Sequence, residues 1–285
     1  MYVSMKKMLE DANVGYYAIL AINCFNLETA RAAISAAEDT KAPIILNIVQ
    51  EHMVTHAKAE LMVPLVKTLA EQSSIPVALN LDHGKDFKLI ASAFRHGFSS
   101  LMIDASDYPY EENVRKTKEV VKMASTTNLS VEGELGHVGD ANHYNSESFR
   151  KLFTNLNETA SFFEETGIDA LAISFGTAHG LYKDDVIPNL DFDLLKEIKK
   201  KTNKPLVLHG GSGAGDDNIR KAVNYGINKI NIGADIFKAG KKCLINLLTT
   251  DPELDLFDLL TNMEKACKET ILHYIDLSGS AGKAN

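Results

Sequence analysis

With 285 residues, a formal charge of −8, 45% hydrophobic and 24% charged residues, the chain is long enough for one large α/β domain and has the composition of a soluble globular protein. The acidic balance leaves no basic stripe to neutralise phosphates, which excludes nucleic acid as a default partner, and no apolar run approaches the ~20 residues of a membrane span. Cys24, Cys243 and Cys267 are odd in number, widely spaced and without a CxxC pair, so they read as free thiols of a reducing compartment, the cytoplasm.

Met1–Lys7 leads into a mixed helix rather than the apolar core of a signal peptide. Beyond it, β-forming runs predict strands at Tyr17–Asn23, Ile44–Val49, Val77–Asp82, Ser100–Ile103, Leu129–Leu135, Ala170–Phe175, Leu206–His209 and Lys229–Ile232. Several are continuous apolar runs, as parallel strands covered on both faces require. Amphipathic, helix-length segments lie between them, at Asn26–Thr40, Ala57–Gln72, Phe87–His96, Tyr110–Thr126, Leu156–Thr166, Phe192–Thr202 and Asp216–Tyr225. Eight β–α units in alternation predict one (β/α)8 TIM barrel over residues 1–285; a doubly wound open sheet is the runner-up. Asp140–Thr154 is polar and weakly patterned, and predicts a long loop after the fifth strand, with a mobile active-site segment around 137–154.

The candidate chemistry gathers at the C-terminal strand ends, where barrels of this kind carry their sites. His83, His179 and His209 each follow or end a predicted strand, and each precedes a glycine. One such histidine is most often structural. Three at one rim can converge on a divalent metal and leave a coordination position open, the mark of a catalytic zinc site. Asp82, beside His83, is either a brace for that ligand or a general acid or base. Glu132 and Glu134 share one strand face, as an accessory ligand, a brace for a histidine, or partners in a strand salt bridge. Asn23 ends the first strand at the same rim. His137 and His143 flank the loop, within possible reach of a substrate. Gly210-Gly211-Ser212-Gly213 and Asn231-Ile232-Gly233-Ala234-Asp235 place glycine-rich backbone after strands seven and eight, where a helix N-terminus makes an anion cradle. Lys183 stands near enough in sequence to His179 to reach the same anion.

Together the motifs Leu-Asp-His-Gly (81–84), Val-Glu-Gly-Glu-Leu-Gly (131–136), Gly-Thr-Ala-His-Gly-Leu-Tyr-Lys (176–183), Leu-Val-Leu-His-Gly-Gly-Ser-Gly (206–213) and Ile-Asn-Ile-Gly-Ala-Asp (230–235) resemble the class II, metal-dependent aldolases, with the fructose-/tagatose-bisphosphate branch most similar in length. The resemblance implies Zn2+ on His83, His179 and His209, Glu134 as an accessory ligand or support, and Asp82 as the acid–base for the hydroxyl proton in reversible aldol cleavage. It implies Gly180, Lys183, Gly210, Gly211, Ser212 and Asn231, with Asn23 and Asp235, around dihydroxyacetone phosphate, a monovalent cation (Na+ or K+) near that phosphate, and a homodimer or homotetramer. Three departures bear on the substrate. Asn142 stands where the family carries a loop glutamate, leaving Asp140 or Glu147 as replacements. Ala234 replaces a threonine of the phosphate motif. From Phe257 to Asn285 there is no arginine for a second phosphate, and lysine does not reproduce its fork. The alternatives are an aldolase joining dihydroxyacetone phosphate to a non-phosphorylated sugar aldehyde, and a non-catalytic aldolase-like subunit.

Overall fold

The apolar runs form the staves of a closed parallel barrel in the computed structural model, which describes residues 1–183 and 186–284. The barrel strands are β1 (Ile19–Asn23), β2 (Ile44–Val49), β3 (Val77–Gly84), β4 (Ser100–Ile103), β5 (Ser130–Leu135), β7 (Ala170–Ile173), β9 (Leu206–Leu208) and β10 (Ile227–Ile232). Two short strands, β6 (Gly139–Asp140) and β8 (Ala178–His179), pair with each other above the rim. The barrel order is β1-β10-β9-β7-β5-β4-β3-β2, so the predicted barrel stands and the open sheet does not. The last strand starts two residues earlier than its sequence signal, because Ile227 already pairs with Leu206 and Asn228, at a shift in the register, is buried in the wall.

Because side chains alternate along a strand, each stave gives one residue in two to the interior. At the base these are Ile19, Ala21, Ile45, Ala78, Met102, Ala170, Ala172 and Val207, which join Met5, Met8, Leu9 and Ala12 of α1 (Met5–Gly15) in one apolar cluster. That helix starts at Ser4, whose hydroxyl accepts from the Lys6 amide, and plugs the barrel from below. The same alternation brings in polar groups: Asn47 and Asn80, joined at 3.1 Å, and Ser100 and Ser130, joined at 2.9 Å, with Ser100 Oγ also accepting the Met5 amide of α1. The larger cluster lies between the staves and the surrounding helices.

Two long helices that the periodicity had not delimited complete the ring, Ala234–Thr250 and Leu256–Ser278. The first begins at the rim beside Gly233. The second packs against α2 (Leu27–Thr40), and Ser278 accepts at its end from the Ala18 amide. The segment after β5 is more ordered in pattern than its composition predicts. It contains β6, a 3-10 turn at Ala141–His143 and a short helix, Ser146–Phe149, and it buries Ala141 and Phe149 against Ala178. β6 ties it to β8 in the register Gly139↔Ala178 and Asp140↔His179.

Met5 is fully buried at the foot of the barrel, whereas Val14 on the same helix is 78% exposed. Met5→Ala is therefore expected to lower the unfolding free energy by about 2–5 kcal/mol, against less than about 0.5 kcal/mol for Val14→Ala, as read by urea denaturation.

Candidate active site

The three histidines arrive by three different routes. His83 ends β3 with φ at +48°, a left-handed conformation costly for a residue with a Cβ, and the β3–β4 register shifts between Leu81 and Gly84. This irregularity re-aims the ring over the barrel mouth. His179 stands on β8, and His209 follows β9 directly, fully buried. Nε2 of His83 lies 3.2 Å from Nε2 of His179 and 3.0 Å from Nδ1 of His209.

These nitrogens suit a divalent metal. Asp104 Oδ2 takes the Nδ1 proton of His83 at 2.9 Å, and Glu132 Oε1 takes the Nε2 proton of His209 at 2.8 Å. Each carboxylate thereby fixes the tautomer that leaves a lone pair facing inward, an arrangement common behind metal-binding histidines. Tetrahedral zinc with Zn–N bonds of about 2.0–2.1 Å holds its ligand nitrogens about 3.3 Å apart. The observed spacing fits, and lone pairs facing one another at this distance repel without a cation or proton between them. A second donor grouping, His83, Asp104 and Glu134, lies behind the first. Glu134 Oε2 is 3.9 Å from His83 Nδ1 and has no hydrogen-bond partner, so this carboxyl stands on the far side of the ring from the three-histidine cluster. Burial pushes its pKa up to about 8, reinforced by the Asp104 charge and opposed by His83.

Asp82 is buried, and its Oδ1 accepts from Asn231 Nδ2 at 3.1 Å. Lys229, with its side chain wholly inside the barrel, donates to Asn231 Oδ1 at 2.9 Å and to Glu132 Oε2 at 2.7 Å. Glu132 thus combines two of the roles open to it from sequence, a strand-to-strand salt bridge and a brace for a histidine.

A cavity of about 880 Å³ joins these groups to the glycine-rich backbone. Asn23, Asp82, His83, Glu134, His179, Gly180, Gly210, Ser212 and Asn231 all line it. The cradle depends on close approach. A Cβ on Gly210, at φ +65°, would stand 2.3 Å from the Ala178 carbonyl, and one on Gly233 would meet Asn23 Nδ2 at 2.8 Å. Ser212 Oγ accepts the amides of Gly233 and Asp235 at 3.2 Å each. Four predicted residues stand apart from the lining: His209, which is fully buried, and three others. Gly211 packs against β10, and Lys183 is exposed beyond the cavity. Asp235 turns its carboxylate to the Gly213 amide at 2.8 Å and the Tyr274 hydroxyl at 2.5 Å, bracing the loop from behind.

Of the two acids offered as replacements for the loop glutamate, Asp140 lines the cavity, and Glu147 lines a separate groove beside Arg150. Asp140 Oδ1 accepts from the Asn142 amide at 2.8 Å, a bond that holds its pKa below the usual carboxylate value. His137 also faces the cavity, 3.3 Å from Ser106 and from Asp107, whereas His143 is exposed outside it.

Sequence reading missed Asp104, Lys229 and His52. Asp104 follows β4 directly, and the strand-end rule that found Asp82 identifies it equally. Lys229 was visible only as part of a strand. His52 lines the cavity with its ring edge-on to Phe25 at 5.6 Å, but it lies on the short helix Gln50–Thr55 after β2, where no strand-end signal marks it.

Burial opposes a proton on His83, but Asp82, Asp104 and Glu134 outweigh it and raise its pKa to about 9. A metal must displace that proton. The apparent zinc affinity is therefore expected to rise by up to about tenfold per pH unit until about pH 9, in competition titrations with a chromophoric chelator. Asp104→Asn removes the carboxylate that holds the proton and is expected to level the curve at a lower pH.

Residues 3–283 match the family described as class-II fructose-bisphosphate aldolase. The YdjI aldolase from Escherichia coli K12 is similar over 100% of both chains, at 33% identity and a TM-score of 0.88. A fructose-bisphosphate aldolase from Campylobacter jejuni superposes with a TM-score of 0.85 over 100% of this chain and 97% of its own; at 24% identity that likeness speaks for the fold alone. The closed barrel, the histidine cluster at its rim and a match spanning nearly the whole chain agree: the chain belongs to the class II fructose-bisphosphate aldolase family.

Proposed function

We propose that this protein is a zinc-dependent aldolase that reversibly cleaves a ketose phosphate into dihydroxyacetone phosphate and an aldehyde. The observation that carries the reading is the convergence of His83, His179 and His209 beside the buried Asp82 carboxylate and an anion cradle in one cavity. When bound to the three imidazoles, zinc supplies Lewis-acid polarisation of the ketose carbonyl.

The chain's own residues supply the rest. The amides of Gly210 and Ser212, and of Ala234 at the start of the helix Ala234–Thr250, orient the phosphate. Asp82 accepts the proton of the hydroxyl next to the scissile bond. As that bond breaks, the hydroxyl carbon becomes the aldehyde and the electron pair passes to the other fragment as an enediolate. Asp140, held as a carboxylate and facing the cavity, is the group we assign to moving the proton on the enediolate carbon. Asp82→Asn is expected to retain stoichiometric zinc and cut cleavage by about 10² or more, measured by coupled release of dihydroxyacetone phosphate. Asp140→Asn is expected to slow proton exchange between dihydroxyacetone phosphate and deuterated water by a similar factor. Unchanged exchange would remove Asp140 from the mechanism.

Fructose 1,6-bisphosphate and tagatose 1,6-bisphosphate are the first substrates to test. One observation favours a second reading of the aldehyde half. Among the described residues lining the cavity there is no arginine, and its one lysine, Lys85, is engaged with Asp107 at 2.8 Å and Asp104 at 3.6 Å. A cation already paired with two carboxylates is a poor partner for another phosphate, which favours an uncharged tail. A panel of the two bisphosphates and of ketose 1-phosphates with uncharged ends separates the readings. Turnover confined to the singly phosphorylated ketoses supports the second, and brisk turnover of a bisphosphate supports the first. A need for Na+ or K+, a cytoplasmic setting and assembly as a homodimer or homotetramer belong to the same proposal. Leu256 and Phe257, 68% and 75% exposed, are side chains such assembly would cover, with sedimentation equilibrium as its check.

A further inference from the structure

Lys229 is the one ammonium sealed inside the barrel among the described residues, and its two hydrogen bonds lead to two different parts of the site. One runs to Glu132 Oε2, whose other oxygen accepts from His209. The other runs to Asn231 Oδ1 and so fixes which way that amide points. With its oxygen committed to Lys229, the amide must present Nδ2, and it presents it to Asp82 Oδ1 at 3.1 Å. An amide freed from the ammonium could rotate and turn its oxygen toward the Asp82 carboxylate, where two acceptors would repel. A neutral residue at 229 would therefore do two separable things: leave Glu132 as an uncompensated buried charge beside His209, and release the orientation of Asp82.

We propose that Lys229 is a positioning residue that couples the metal ligand His209 to the acid–base Asp82, acting on the latter through the Asn231 amide. The inference rests on the aldolase reading, and specifically on Asp82 as acceptor of the hydroxyl proton. It distinguishes Lys229 from a mere counter-ion for Glu132. A counter-ion becomes dispensable once Glu132 is made neutral, whereas a group that orients Asn231 does not.

The test compares Lys229→Met with the double variant Lys229→Met/Glu132→Gln, both loaded with zinc. The single variant is expected to weaken zinc binding about 10- to 100-fold, the usual cost of disturbing a group behind a ligand. In the double variant the buried charge is gone and the glutamine carbonyl can still accept from His209 Nε2, so zinc affinity is expected to return to within about threefold of wild type. Carbon–carbon cleavage is nevertheless expected to stay down by about 10² in kcat, because Asp82 remains unaligned. Proton exchange on dihydroxyacetone phosphate, which does not require the Asp82 step, is expected to remain within about threefold of wild type. A general loss of structure would lower both reactions together.

Adding Asp82→Asn to the double variant is expected to cause little further loss, since the group being positioned is already ineffective. Recovery of cleavage along with zinc in the double variant overturns the inference and leaves Lys229 a counter-ion. Equal loss of cleavage and exchange overturns it as well. Wild-type protein that binds zinc but performs neither reaction refutes the aldolase reading itself, and this inference with it.

Discussion

Glu132 lies wholly inside the barrel, and such a carboxylate is tolerable there only because both of its oxygens are engaged, one by an ammonium and one by an imidazole. Removing either partner of a buried pair typically costs about 3–5 kcal/mol, so the arrangement holds together or fails together. The site depends on this constraint. The same carboxylate decides which nitrogen of His209 faces its neighbours, and the same ammonium decides which end of Asn231 faces Asp82. A catalytic rim that must hold several charges close together therefore begins one layer below the surface, where water is absent and hydrogen bonds are strongest.

The layering follows from strand alternation. Inward positions on β1 run Ile19, Ala21, Asn23; on β3 they run Ala78, Asn80, Asp82; on β5 they run Ser130, Glu132, Glu134. These three staves become more polar toward their C-terminal ends, and parallel pairing keeps the levels aligned, as in Asn47↔Asn80 and Val49↔Asp82. The apolar base, sealed by α1, gives rigidity, and the polar upper layer gives the hydrogen bonds that aim the histidines at the rim. β5, apolar at neither of its inner two upper positions, carries much of that electrostatic work.

The fold was legible in the sequence because parallel barrel strands are buried on both faces and so appear as uninterrupted apolar runs. The histidine cluster was legible because His83, His179 and His209 break the pattern at equivalent places. Lys229 was not, since a single charge inside a run such as Ile227–Ile232 looks the same whether it points outward to solvent or inward to a carboxylate. The difference is set by a partner on β5, nearly a hundred residues away, and only closure of the barrel brings the two together. His52 was missed for the opposite reason: it belongs to a short helix, and its place at the cavity depends on how Phe25 and Phe237 pack around it. Asp235 was picked out by its place beside a phosphate motif, but sequence proximity does not reveal that its carboxylate accepts the Gly213 amide.

The two sides of the rim differ in kind, and this bears on how substrates are told apart. After β9 and β10 the cavity wall is mainly backbone, with glycines so closely packed that no side chain fits, a surface that offers amides to one oxyanion and tolerates little variation. After β2, β3 and β4 the wall is side chain: Gln50, Glu51 and His52, then Lys85 bound to Asp107 and Asp104. Gln50 Oε1 accepts the Lys85 and Asp86 amides at 2.8 and 3.1 Å, so even this side is held in place rather than left to adapt. A barrel rim divided in this way can keep one half of a reaction constant while substitutions among a few side chains alter the other. On the proposed reading, the carbonyl-bearing half of a ketose uses the fixed backbone and the three histidines, whereas the departing aldehyde meets groups that can change without disturbing either.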